Sequence, residues 1–188
     1  PRAGRAPGCR WPLVLLALSW LAAVAAAPAL ADPAAIARID SLNALGHEHV
    51  FSHIEASIER YAALAEEARA LDHPAGEARA RHLQAVALYL DGQYDRGVAA
   101  SLAAIRIFEQ HGLVAGLAQA YGDLGYQMKR RDLPQAMAHM RHAIALAEAE
   151  DLDAILTSLY DNFGVLQELA DAPDSAAHYY RRALALKT

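Results

Sequence analysis

The stretch LYDNFGVLQELADAPDSAAHYYRRALALK, residues 159–187, joins an aromatic–glycine segment to an alanine-rich segment across a break containing Pro173. Both halves carry apolar residues at helical spacing, and Gly164 falls on the apolar stripe of the first half. A glycine inside a helix costs about 1 kcal/mol relative to alanine, so its position calls for a compensating contact. A second helix approaching closely, with Ala176, Tyr180 and Ala183 facing the gap, supplies one. The same layout recurs upstream. Residues 84–108, QAVALYLDGQYDRGVAASLAAIRIF, place Ala85 in a first segment and Gly97, Ser101 and Ala104 in a second. Residues 120–146, AYGDLGYQMKRRDLPQAMAHMRHAIAL, place Gly125 and then Ala136, Met140 and Ala143. A weaker copy, SLNALGHEHVFSHIEASIERYAALAEEA at 41–68, offers Gly46, Ile58, Ala62 and Ala65.

The second-segment markers run 58, 97, 136, 176 and again 65, 104, 143, 183, a period of 39 to 40 residues. Such a period indicates stacked helical hairpins. Pro134 and Pro173 fall where a first helix must end and a second begin, because proline is tolerated in a first turn but not in a helix interior. Tyr160 and Phe163, like Tyr121 and Leu124, lie three apart on an apolar stripe and fill space between units. The expected fold is an all-α α-solenoid of about four helix-turn-helix hairpins, with units near 34–72, 73–112, 113–150 and 151–188. A composition of 55% hydrophobic and only 7% aromatic residues suits helices packed through small side chains.

The segment YDNFG followed by DSAAHYYRRALAL resembles a tetratricopeptide repeat, with aromatic-xx-apolar-Gly in one helix and Ala-xxx-Tyr-xx-Ala in the next. The resemblance spans about residues 34–187 and is strongest in the last unit. The period exceeds the family's usual one, which places the extra residues in longer helix ends and links; the third unit is one residue short at KRRDLP. The resemblance implies a concave groove that holds a protein or peptide segment. It further implies that Asn162, with Asp123 as its acidic counterpart, bonds the main chain of a bound peptide.

Residues 1–31 read as a secretory signal: Arg2, Arg5 and Arg10, then the apolar run WPLVLLALSWLAAVAAAPALA, then Asp32. Cleavage after Ala31 and retention as a membrane anchor are both compatible with that pattern, and both place 32–188 outside the cytoplasm. The segment contains Cys9, the only cysteine, so the remainder has no thiol chemistry. The remainder carries 14 basic and 22 acidic residues, a balance that disfavours nucleic acid. A periodic helix running to Thr188 without a stop signal reads as an array that continues beyond it.

No pattern for a serine nucleophile, a phosphate loop or a zinc protease occurs, so no catalytic residues and no cofactor are expected. Among nine histidines, His47, His49 and His53 form one group and His139 and His142 another. The second pair, three apart on a helix with Met137 and Met140 nearby, has metal-ligand spacing, but Met140 belongs to the packing column and no third ligand is in sight. Surface histidines and no metal site are therefore expected. The run Lys129-Arg130-Arg131 reads as a solvated helix end, where cations suit the carbonyl terminus.

Stepping by three and four from the packing residues assigns Arg79, His82, Val86 and Tyr89 to the groove in the second unit. Gln119, Gly122, Tyr126 and Lys129 follow in the third, and Ser158, Asp161, Val165 and Glu168 in the fourth, beside Asn162. The leading expectation is an exported, non-catalytic binding module. Exported arrays with long, alanine-rich repeats resemble the sensory regions of bacterial membrane signalling proteins, which implies a diguanylate cyclase or histidine kinase as output. A freestanding periplasmic scaffold for envelope assembly and a metal-binding or enzymatic module built on the histidines are the alternatives.

Overall fold

The computed structural model describes residues 32–187; the signal segment read at 1–31 lies outside the described residues. These fold into α1 (Pro33–Ala44), α2 (Gly46–Ser52), α3 (Ile54–Ala70), α4 (Pro74–Leu90), α5 (Tyr94–Gln110), α6 (Val114–Met128), α7 (Leu133–Ala149), α8 (Asp153–Leu169) and α9 (Pro173–Ala185). No strand occurs among the described residues. Successive helices pack side by side as a solenoid of hairpins: α4 with α5, α6 with α7 and α8 with α9. Helices of 17 residues, as in α4 and α5, joined by three-residue links account for the long period.

Five of the links between consecutive helices close in the same way. Asp72, Gly92, Gly112, Asp151 and Asp171 all adopt positive φ, between 51° and 79°. The next N–H then returns to a carbonyl five residues back, as in Gln93 N to Leu88 O at 2.8 Å and Ala172 N to Gln167 O at 3.0 Å. These bonds occupy carbonyls that a helix end otherwise leaves without partners. The α6–α7 link differs. There α6 has 15 residues, the link runs over 129–132 without positive φ, and the Asp132 side chain caps α7 by accepting from Gln135 N at 3.0 Å. This is the unit that the sequence shows as one residue short.

The repeat positions sit at the crossings. Ala85, Ala104, Ala136, Ala143 and Ala183 are fully buried, and Ala176 nearly so. A Cβ on Gly125 would lie 2.8 Å from the carbonyl oxygen of Ala136 and 3.2 Å from the amide of Met140, so the two backbones meet there. Gly97 meets α4 similarly, 3.3 Å from the Ala85 carbonyl. Gly164 differs from the expected backbone approach: its empty side is filled by the ring of Tyr180, 2.3 Å from where a Cβ would stand.

Neighbouring units are tied by a repeated latch. Tyr121 Oη donates to Glu109 at 2.8 Å, and Tyr160 Oη donates to Glu148 at 2.7 Å, one period further on. Burial first, and the carboxylate second, push the Tyr121 phenol up to about 12. Tyr121, Met128 and Leu146 pack against both adjoining apolar clusters, so the core runs on from one hairpin to the next.

The first unit corrects the sequence reading. Gly46 was expected inside a first helix, as a packing residue, but it has φ of 61° and starts α2 after the break at Leu45. The expected single helix is thus split, and α3 packs along α4 in place of a self-contained first hairpin. The left-handed turn lays α2 against α4.

The contacts at the two glycines give different sensitivities. Gly125→Ala is expected to destabilise the chain by about 1–3 kcal/mol, because the obstructing atoms are backbone and cannot swing aside. Gly164→Ala is expected to cost less, since the half-buried Tyr180 ring can rotate outward. Thermal melting of both variants checks the order; equal melting would contradict the backbone contact at Gly125.

Candidate functional site

The helix α2 packs on α4, α4 on α6 and α6 on α8, so these four line one face of the solenoid. That face encloses a cavity of about 510 Å³, walled by His47 and Phe51 from α2 and by Val86, Tyr89 and Leu90 from α4. Gln119, Asp123, Tyr126 and Gln127 from α6, Lys129 beyond it, and Ser158 and Asn162 from α8 complete the wall.

Repeat-equivalent positions touch across adjacent helices. Arg79 donates to Gln119 Oε1 at 2.7 Å, and Lys129 Nζ donates to Tyr89 Oη at 2.9 Å, both pairs 40 residues apart. Lys129 also donates to the Tyr126 carbonyl at 3.2 Å and stands 3.4 Å from the centre of the Tyr126 ring, so its charge is caged by two tyrosines. The solvated helix end expected for Lys129 is thus replaced by a fixed cation in the cavity wall. Arg131 turns the other way and pairs with Asp95 at 2.7 Å.

Of the residues assigned to the groove, Tyr89, Gln119, Tyr126, Lys129 and Asn162 line this cavity, together with Val86 and Ser158. Arg79, His82, Asp161 and Glu168 do not. His82 is only 1% exposed and lies beneath the surface, because α2 covers that part of α4. Asp161 is engaged by Lys187 at 2.8 Å, and Glu168 by Tyr180. Gly122 is buried, with Leu159 occupying the space beside it.

The groove also contains a cluster that its sequence does not announce. His47 Nε2 lies 3.2 Å and His82 Nε2 3.1 Å from Asp123 Oδ2, and the two Nε2 atoms are 3.4 Å apart. Among the described residues this is the group of three potential metal ligands brought together. Asp123 Oδ2 is buried without an aligned hydrogen bond, and His82 Nδ1 is likewise buried without a partner. Burial pushes the Asp123 carboxyl up, yet the two imidazoles outweigh it and hold the group well below the usual carboxylate range. Burial lowers His82 despite Asp123, and burial also lowers Arg79, opposed by the same carboxylate. His47 was expected beside His49 and His53; the turn at Gly46 sends it to α4 instead, while His49 and His53 stack on each other at 4.8 Å.

The pair His139 and His142 does not converge on a common point. The ring of Tyr121 stands between them, stacked on His139 at 5.6 Å and edge-on to His142 at 4.7 Å. These rings belong to the contact between α6 and α7.

No family model matches the chain, and no curated protein matches it significantly. The crystal structure of BtubC (BKLC) from P. vanneervenii is similar in fold, with a TM-score of 0.56, 21% identity, and coverage of 82% of this chain and 74% of that one. At that identity the likeness concerns the helical architecture alone.

His139 is held below its ordinary pKa first by burial and then by His142. In an NMR pH titration its midpoint is expected below the ordinary value of about 6.5. His142→Ala should raise the midpoint part of the way, because the burial persists. The neutral ring is the folded-state form, so this group's contribution to stability is present above about pH 6.5 and is lost as the pH falls. An unchanged midpoint in the variant would exclude the coupling.

Proposed function

We propose that the chain is a non-catalytic, tetratricopeptide-type module that binds a protein or peptide segment in its concave groove and forms the exported sensory region of a bacterial membrane signalling protein. The observation carrying this reading is the cavity of about 510 Å³ shared by helices of four successive units. Its apolar walls, Phe51, Val86 and Leu90, can bury side chains. Asn162 offers both amide donor and acceptor to an extended main chain, and caged Lys129 offers a fixed positive charge to a carboxylate. An extended segment lying along such an array meets several units at once, which suits recognition without chemistry.

Export rests on the basic, apolar and small-residue order of residues 2–31. The diguanylate cyclase or histidine kinase output rests on the resemblance of long, alanine-rich exported arrays. Neither nucleic acid nor a membrane surface suits the groove of an array with a net acidic charge. Membrane contact belongs in this reading to the signal segment or to a helix following the array.

Panning a random-peptide phage library on the immobilised chain, followed by calorimetry with the selected synthetic peptides, tests the groove. Asn162→Ala and Lys129→Ala are each expected to weaken binding about two- to tenfold, whereas Glu59→Ala on α3 should leave it unchanged. Failure to select any peptide, or affinities indifferent to both groove variants, would overturn the binding assignment. For export, residues 1–40 fused to a leaderless alkaline phosphatase should give active enzyme in bacteria, and deletion of 11–27 should abolish it. An inactive intact fusion would refute export.

A further inference from the structure

We propose that His47, His82 and Asp123 form a site for a divalent transition-metal ion of the zinc class in the floor of the groove, with one coordination position open to the cavity. The separations among the donor atoms are 3.1, 3.2 and 3.4 Å. Bonds of zinc to imidazole nitrogen and carboxylate oxygen, about 2.0–2.2 Å long, set tetrahedral donor separations of about 3.3 Å. The three atoms thus already occupy three corners of a zinc-sized tetrahedron.

An ordinary hydrogen-bonded cluster accounts less well for the arrangement. The two Nε2 atoms are within hydrogen-bond reach of each other as well as of Asp123, and the rings align with the His47–His82 contact at 3.4 Å, so Asp123 Oδ2 stays without an aligned hydrogen bond although buried beside both rings. His82 Nδ1 is orphaned under either assignment, so the carboxylate oxygen is the discriminating atom. A cation placed between the three donors satisfies that oxygen and both Nε2 lone pairs together. Two imidazoles and one carboxylate form a donor set suited to zinc, and three protein ligands leave a fourth position for water or an incoming donor. His47 and Asp123 both line the cavity and His82 lies below it, so the open position faces the groove.

Arg79 opposes the ion. Its guanidinium interacts electrostatically with both Asp123 and His82, although its hydrogen bond goes to Gln119. Its charge lowers affinity for any cation and stabilises the ionised carboxylate when no metal is bound. The three ligands come from α2, α4 and α6, so binding clamps the short α2 onto the stack. Metal binding is then also stabilisation of the folded chain.

The test is calorimetric titration of the chelator-stripped purified chain with zinc chloride, paired with thermal melting with and without zinc and with the visible spectrum of the cobalt-substituted chain. One ion per chain, a raised melting temperature and the intense absorption of tetrahedral cobalt are expected. His47→Ala, at a partly exposed position, and Asp123→Asn should each weaken zinc at least about tenfold, and His139→Ala/His142→Ala should not. Arg79→Gln should strengthen it. No uptake by the parent chain, undiminished uptake by folded His47→Ala and Asp123→Asn, or loss of uptake in His139→Ala/His142→Ala would each overturn the site. Because the probe is the metal alone, a negative result leaves the peptide-binding measurement independent of it.

Discussion

Two antiparallel helices bring their backbones together only where neither presents a bulky side chain at the crossing, and the architecture follows from that constraint. Gly125 against the Ala136 carbonyl and Gly97 against the Ala85 carbonyl are two such crossings, one period apart in the chain. Each makes a tight hairpin whose outer apolar stripe is left uncovered, and only the next hairpin can cover it. Tyr121, Met128 and Leu146, shared between two clusters, mark where that covering occurs. The Tyr–Glu latches at 121/109 and 160/148 then fix neighbouring hairpins in register through charge-assisted hydrogen bonds.

Equal spacing has a consequence for the groove. Because α4, α6 and α8 are translated copies, side chains 40 residues apart face one another, and the bonds Arg79–Gln119 and Tyr89–Lys129 are both of that kind. The groove wall is therefore a ladder of equivalent positions. Its rungs are polar at one end and aromatic at the other, with Asn162 and Ser158 carrying the wall into the last unit.

Stepping by three and four places Tyr89, Gln119, Tyr126 and Lys129 on the wall that lines the cavity, and it assigns to the same face others that do not line it, for identifiable reasons. It treats each helix as a straight cylinder with one free face, and His82 has no free face because α2 lies over it. Asp161 and Glu168 sit on α8, where Lys187 and Tyr180 of the following segment reach back to engage them. In the first unit, glycine was read by its packing role, although a glycine also permits a left-handed turn, and at Gly46 the second property governs. Asp123 was singled out only through its likeness to Asn162, with nothing nearby in the chain to indicate two imidazole neighbours.

Helix type throughout, and hairpin pairing after the first unit, were determined by the sequence alone, since they depend on periodicities of three to four and of 39 to 40 residues that a one-dimensional pattern carries in full. Which hydrophilic side chains meet was decided by the tertiary structure. His47, His82 and Asp123 are separated by 35 and 41 residues, neither of which is the repeat period. Their convergence depends on one positive-φ turn at Gly46 and on the distance between helix axes. Neither quantity leaves a periodic trace in the chain, because the turn is a single local event at one glycine and the axial distance is set by how closely the small residues of packed helices let the backbones approach.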